Sequence, residues 1–500
     1  MRPLLATVLS LFSLALSAQP SLVLVNGRIF DNPDAQAIAI TGNTITAVGS
    51  SAEMKALATP VTRVIDLQGR MVIPGINDAH THPGLHTPSF VANSDITTTW
   101  PLIAAAISSA VDETPADLWI TATAGPGILD DATLTRQTLD KLAPNRKVFI
   151  GAFTGHVSVL SSAGLAALGI ADNASNPPGG TFGRDAQGNL NGRADEYAHY
   201  LAERRFADLA TDDELVTGIR SFADEAIRLG ITTVQAMPVP SEQRFSKALR
   251  DAAVPLRVRV MAFPLEVPAR PLFQSGGAVK FILDGTPIER GAALRTTAYA
   301  DGSKGRENFR DLAPFVKLAV DNNQQLLFHA AGDRTVASAL NAFGTAALKR
   351  PRIEHGDGMQ RDLFPIALKT GAVVVVNPTH FPFRNFYPAG EYMLAASIRK
   401  ARIPLAIGSD GPINPYLNLM IASARPDQPQ ESLTREDALR AYTSGSAFAE
   451  NLETKKGKIA PGMLADLAVL SQNIIEVSVN ALPDTRSVLT IIDGKVVHEE

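Results

Sequence analysis

Residues 71–84 read MVIPGINDAHTHPG, a short apolar run, a Pro-Gly break and two histidines one residue apart. Alternate side chains of an extended strand point the same way, so His80 and His82 face one side together. Two imidazoles on one face at a strand end make half a metal site. The rest of the chain decides whether the other half exists.

The chain has 500 residues, more than one ordinary domain but compatible with a single large α/β barrel carrying additions. Hydrophobic content of 45% and charged content of 19% are those of a folded globular protein. The 46 basic and 50 acidic residues, with no long block of either sign, argue against a nucleic-acid or anionic-membrane partner. Cysteine is absent, which removes disulfides, thiolate nucleophiles and cysteine-based zinc or iron–sulfur sites. A transition metal must then be held by His, carboxylate or a modified side chain.

Arg2 precedes an apolar run from Leu4 to Leu16, followed by Ser17-Ala18. This is the pattern of a secretory signal peptide over residues 1–18, cleaved near Ala18 to give a periplasmic or extracellular protein. No later segment offers about 18 uninterrupted apolar residues, so no membrane span is expected.

From Ser21 the pattern is one of strands. SLVLVNGRIF, AIAITGNTITAVG and RVIDLQGRMVIPG alternate with Asn-Gly, Gly-Asn and Gly-Arg turn signals, and the C-terminus answers with DLAVLS and SVLTIIDGKVVHEE around Asp493-Gly494. Neither end alone can bury a sheet face. Together, residues 19–75 and 456–500 are expected to form one small β-sandwich.

Residues 76–455 read as alternating βα units. Thr211 and Glu214 cap a helix from Asp212 to Leu229 whose apolar stripe is Leu215, Ile219, Phe222 and Ala226, and Gly230 stops it. Further helices are expected at Pro314–Asp321, Arg334–Leu348, Gln360–Lys369 and Glu391–Ala401. After the strand ending at His82, strand-like runs follow at ITTVQAM, LRVRVMAF, GAVKFILDG, QLLFHA, RIEHG, AVVVVN and PLAIGSD. Eight such strands alternating with helices predict an α/β fold of the (β/α)8 TIM-barrel type. The nearly 150 residues between strands one and two exceed any βα connection. They predict an inserted subdomain, about 85–210, lying at the C-terminal face as a lid.

Barrels of this kind carry their chemistry at strand C-termini. Strand one ends in His80 and His82, strand five at His329, strand six at His355 and strand eight at Asp410, while strand four carries Lys280. These six side chains can converge on one mouth. As structural residues each would need its own buried partner. Lys280 alternates with Val279 and Phe281 and so points inward with Ile282 and Asp284. It is open to two readings: a salt bridge to Asp284 or Asp410, or an anionic carbamate bridging two cations.

MVIPGINDAHTH, the lysine on strand four, HAAGDR, RIEHG and GSDGPINP resemble the amidohydrolase superfamily. GHVSVLSSAGLAALGI, NPPGGTFGRDAQGNLNGRADE and LTREDALRAYTSGSAFAE…GKIAPGMLADLAVL narrow the resemblance to the YtcJ-like branch, which includes N-substituted formamide deformylases. The resemblance implies the barrel, the flanking sandwich and a metal centre. It implies that His80, His82 and Asp410 bind one ion, that His329 and His355 bind a second, and that carboxylated Lys280 bridges them. His156 and Glu196 occupy motif positions of the insert, where they either contact substrate or serve the structure. Asp333, four residues after His329, either orients that histidine or caps a helix. Two departures, Ser161-Ser162 and DGTPIERGAAL, fall where relatives carry other residues, and both are expected to touch substrate-facing loops. His86, His199, His380 and His498 are assigned to structure or surface.

Imidazole and carboxylate donors suit zinc, with manganese, iron, cobalt and nickel also compatible, and two zinc ions are the expected cofactor. Such a pair generates hydroxide near neutral pH, and Asp410 is the natural general base. The expected function is a metal-dependent amidohydrolase cleaving an amide-like C–N bond, N-acyl or N-formyl, in a small-molecule substrate. The alternatives are a related hydrolase of an ester, lactone or cyclic amide and a barrel that binds a ligand without turnover. A homodimer is left open.

Overall fold

Eight parallel strands run in chain order through the middle of the molecule, one for each predicted run. They are Ile76–Thr81, Ile231–Ala236, Arg257–Val260, Ala278–Ile282, Gln325–Ala330, Arg352–His355, Val373–Val376 and Leu405–Ile407, numbered one to eight below. The structure, a computed structural model, describes residues 19–83, 89–92, 99–125, 133–266 and 277–500. Segment 1–18, expected from the sequence to be an export signal, and His86 lie outside them. Strands one to three form one parallel sheet and strands four to eight another. Ala262 N donates to Ala278 O and Lys280 N to Ala262 O, carrying the pairing from strand three to strand four. Asp410 N donates to His80 O (2.9 Å) where strand eight meets strand one. Most of these strands are buried along their whole length, as in VVVV of strand seven, because both faces are covered.

The helix Asp212–Arg228 carries the predicted capping box, Glu214 N donating to Thr211 Oγ1 and Thr211 N to the Glu214 carboxylate. Leu215, Ile219 and Ala226 are buried in the main core and Phe222 packs against it. Two helices are shorter than predicted. The one after strand five spans Asp333–Phe343, ended by Gly344, and the one before strand eight begins only at Ala395, after Met393 takes a left-handed backbone (φ 58°).

The insert builds a six-stranded sheet in the order Gly180–Arg184, Leu190–Glu196, Val157–Leu160, Val148–Ala152, Trp119–Ala124, Ser89–Ala92. Ile103, Ile107, Ile120, Leu139, Ile150 and Val159 give it a core of its own. Only two of its strands, LWITATAG and RKVFIGAF, stand out in the sequence.

Both ends of the chain meet in one five-stranded sheet of Arg28–Ile29, Met71–Pro74, Leu467–Leu470, Ser487–Ile492 and Lys495–Glu499. Leu22, Leu24, Ile38 and Ile40 of a second, four-stranded sheet share a core with Val72, Leu467, Leu489 and Ile491 of the first. At the predicted Asp-Gly turn, Asp493 and Gly494 both have positive φ (54° and 73°), as a tight hairpin needs. MVIP therefore belongs to the terminal sheet and INDAHT to the parallel set. Gly75 is the crossing point: a Cβ there would fall 2.2 Å from Thr232 Oγ1. Among the described residues no helix is long and apolar enough to cross a membrane.

Candidate metal centre

The C-terminal ends of the parallel strands bring the predicted residues together. His82, Lys280, His329, His355 and Asp410 line one cavity of about 640 Å³, a volume suited to a small molecule. His80 is fully buried just behind them, its Nε2 3.1 Å from Lys280 Nζ and 3.5 Å from Asp410 Oδ1. His82 Nε2 is 3.4 Å from the same Oδ1, and His355 Nδ1 is 3.6 Å from Oδ2. The rings of His329 and His355 are 4.3 Å apart, edge to face.

Local backbone geometry makes this convergence possible. His355 (φ 71°) and Asp410 (φ 36°) both adopt the left-handed region, which is costly for side-chain-bearing residues and concentrates at functional sites. Gly408 of the GSD motif lets strand eight press against strand one, since a Cβ would lie 2.3 Å from His80 Cβ. Asp78 Oδ1 accepts both Ser409 N (2.9 Å) and His80 N (3.1 Å), tying together the segments that carry His80 and Asp410. Burial pushes its carboxyl up to about 7 against those two bonds.

The electrostatics favour cation binding. Burial holds His80, His329 and His355 well below the ordinary histidine range, so the rings are neutral, as ligands must be. Burial alone would raise Asp410, but His82, His380 and Lys280 outweigh it and hold the carboxyl below its usual value. Burial pushes Lys280 down to about 8.

Of the two readings of Lys280, the salt bridge is not formed. Its Nζ meets His80 Nε2 and Met237 Sδ (2.8 Å), while Asp284 accepts the backbone N–H groups of Ala293, Ala331 and Gly332 instead. Asp333 does not orient His329: it is bound to Arg295 through that residue's N (3.1 Å) and Nε (3.0 Å). The carboxylate facing His329 Nδ1 is Asp284, at 3.4 Å. Gly332 caps the following helix and Asp333 occupies its first turn. Ser161 and Ser162 also depart from expectation. Ser161 caps a short helix and Ser162 bonds Asp140, whereas Thr286 to Ile288 of the other departure do line the cavity.

His156 reaches the cavity from the insert, with Glu196 behind it at 3.1 Å and Asn308 donating to Glu196 (3.0 Å). Burial works against a charged His156, yet Glu196 prevails and raises it, while Glu196 is itself lowered. His380 belongs to the site although its sequence context suggested structure or surface. Its Nε2 is 3.4 Å from Asp410 Oδ2 and its ring stacks on His355. It lies on the turn after strand seven, so the strand-end rule extended by a few residues finds it.

A divalent cation fits these residues. Tetrahedral zinc with bonds of about 2.0–2.1 Å sets its donor atoms about 3.3–3.4 Å apart, close to the separations around Asp410. The ligand atoms of His80, His355 and Asp410 all lie within 4.8 Å of one another. His355 Nε2 is buried with no hydrogen-bond partner, a state that protein interiors avoid.

Comparison with known proteins agrees. The sequence profile of the amidohydrolase family matches residues 63–498. The chain is 26% identical over 527 residues to the N-substituted formamide deformylase of Arthrobacter pascens, covering 94% of this chain and 96% of that one. It is 25% identical over 513 residues to YtcJ of Bacillus subtilis, covering 93% and 96%. The crystal structure of an uncharacterized metal-dependent hydrolase from Pyrococcus horikoshii shares the fold, with a TM-score of 0.72 at 20% identity over 92% of this chain and 99% of that one. The profile runs from the terminal sheets through every strand that carries a candidate ligand, and the chain belongs to the amidohydrolase family.

Proposed function

We propose that this protein is a metal-dependent hydrolase that cleaves a C–N bond of a small N-acyl or N-formyl amide. The observation that carries the proposal is the donor spacing: His80, His82 and His355 each lie 3.4–3.6 Å from one carboxylate, Asp410, beside a cavity of small-molecule size. His80, His82 and Asp410 would hold one ion, His329 and His355 a second, and carboxylated Lys280 would bridge them. Zinc suits neutral imidazole and carboxylate donors. Bound there, such ions would lower the pKa of a water and polarise a carbonyl.

The chain's own residues supply the rest. Lys280, pushed down towards its neutral amine, is disposed to add to carbon dioxide, forming an Nζ–C bond and releasing one proton. Asp410 accepts the proton of the attacking water and returns it to the departing nitrogen. His156, whose protonated form Glu196 favours against burial, donates to a substrate oxygen. The name of the deformylase relative supports the N-formyl choice.

The proposal includes the organisation expected from the sequence. The eight strands close as a barrel, supported by the backbone bonds at both sheet junctions. Residues 19–75 and 456–500 form the sandwich, about 85–210 form the insert, and 1–18 direct export.

The test is a screen of N-formyl and N-acyl amines with zinc- or manganese-loaded protein, followed by Asp410→Asn. Hydrolysis of at least one amide, lost by about 10²-fold or more in the variant, is expected. Turnover of esters or lactones but no amide, or an Asp410→Asn variant as active as the parent, refutes the proposal.

A further inference from the structure

Strand six places two adjacent residues in the service of the site. His355, at its end, faces the cavity. Glu354, fully buried, faces His80, its Oε2 2.7 Å from His80 Nδ1. Strand alternation would send neighbours to opposite faces, and the left-handed turn at His355 (φ 71°) lets both take part.

We infer that Glu354 is the positioning residue of the metal centre: its carboxylate accepts the Nδ1 proton of His80 and so presents that ring's bare Nε2 to the cation. The inference rests on the reading of His80 as a ligand. Glu354 is already paired with Arg352, also fully buried, through Nε–Oε1 (2.7 Å) and Nη2–Oε2 (3.0 Å). A carboxylate so engaged can only accept from His80, which puts the hydrogen on Nδ1 and the lone pair on Nε2. That Nε2 is the atom beside Lys280 Nζ and Asp410 Oδ1.

The same guanidinium donates to Ala79 O (2.8 Å), the carbonyl preceding His80. One ion pair therefore fixes the ring and the backbone that carries it. Arg352 also bonds Gln235, Gln235 bonds Asn77, Asn77 bonds Glu450, and Glu450 pairs with Lys456 at 2.8 Å.

The test compares two double variants of the full chain. Arg352→Met/Glu354→Leu removes the pair that meets His80, and Glu450→Leu/Lys456→Met removes the pair at the far end of the chain of contacts. Zinc affinity is measured by chelator competition, with the visible spectrum of the cobalt form as a second readout of geometry. The near pair should weaken zinc by about 10–100-fold and alter the cobalt spectrum. The far pair should leave affinity within twofold whatever it does to the melting temperature. Parental affinity in the near-pair variant overturns the inference, as does an equal loss in the far-pair variant.

The ¹⁵N spectrum of histidine-labelled, metal-free parent protein tests the bond without any need for the double variants to fold. His80, identified by the signals missing from His80→Gln, should be protonated at Nδ1 and bare at Nε2. The opposite tautomer overturns the inference. A parent that binds no zinc or manganese would overturn the functional reading, and the metal-positioning role with it.

Discussion

Replacing Gly408 by alanine adds one methyl group at the place where strand eight lies against His80. The new Cβ would fall 2.3 Å from His80 Cβ and 2.5 Å from His80 N. Non-bonded carbons rest at about 3.5–4.0 Å, so the two strands must part by roughly 1 Å or more. Overpacking of this kind costs about 1–3 kcal/mol, which a chain of this size can survive folded. The metal site cannot absorb it as easily. Asp410 follows Gly408 by two residues and stands 3.5 Å from His80 Nε2, whereas ligand distances tolerate only about 0.2 Å. Gly408→Ala should therefore remain folded, lose zinc affinity by tenfold or more, and lose about 10²-fold in amide hydrolysis, the usual consequence of a 1 Å misplacement. The assays are circular dichroism, chelator competition and initial rates at saturating zinc. Gly151→Ala is the control, because its Cβ would make an ordinary 3.6 Å contact with Phe149 Cε1. A Gly408→Ala protein that holds zinc as tightly as the parent refutes the argument from strand contact.

His199 is buried with no hydrogen-bond partner of good geometry on either ring nitrogen, and burial lowers it to about 3. The unfolded chain takes up that proton first as the pH falls, so stability is whole above about 6.5 and drains between 6.5 and 3, by about 2 kcal/mol at pH 5. His199→Leu should be more stable than the parent and lose less on going from pH 8 to pH 5 in thermal unfolding; a parent-like pH slope counts against it. Asp333→Asn should cost about 1–3 kcal/mol of stability through the loss of its Arg295 contacts while leaving zinc affinity unchanged. Weaker zinc binding in that variant would restore Asp333 as the support of His329. Stripping the metal with a chelator should lower the melting temperature, since zinc at 100 times its Kd adds about 2.7 kcal/mol, and equal melting curves with and without zinc argue against a resident ion.

The strands that carry the site were legible because they are buried runs, most of them apolar, that end in polar residues with no place in a core. His80, His82, His329, His355 and Asp410 are all found by asking what terminates each run, and Lys280 by its alternation with Val279 and Phe281. Their supports were not legible, because each is recognised only by a partner distant in sequence. Asp284 serves His329 across a loop, Glu354 serves His80 from another strand, and Asp333 turned away to Arg295 although it lies nearer His329 in sequence. His380 was obscured because it sits in the first turn of the 3-10 helix Pro378–Phe386 after strand seven and not at the strand's end. Four of the six strands of the insert were missed for a different reason: GTFGR and LNGRADE are polar and interrupted by glycine, and SFVA and VSVL are only four residues long.

The sharing of one sheet by both ends of the chain sets an order of manufacture. Met71–Pro74, the lead-in to the two histidines, is flanked by Leu467–Leu470, through Leu467 opposite Pro74 and Ala468 opposite Ile73. A ribosome must release almost the whole polypeptide before that partner exists. Until then Met71–Pro74 has only Arg28–Ile29 beside it and an open edge where Leu467–Leu470 will pair, and contacts this distant in sequence form slowly. The exposed edge is a liability for any nascent chain, and the C-terminal strands are the clasp that closes it. Chains cut short before residue 467 should accordingly fail in assembly, even with every candidate ligand present.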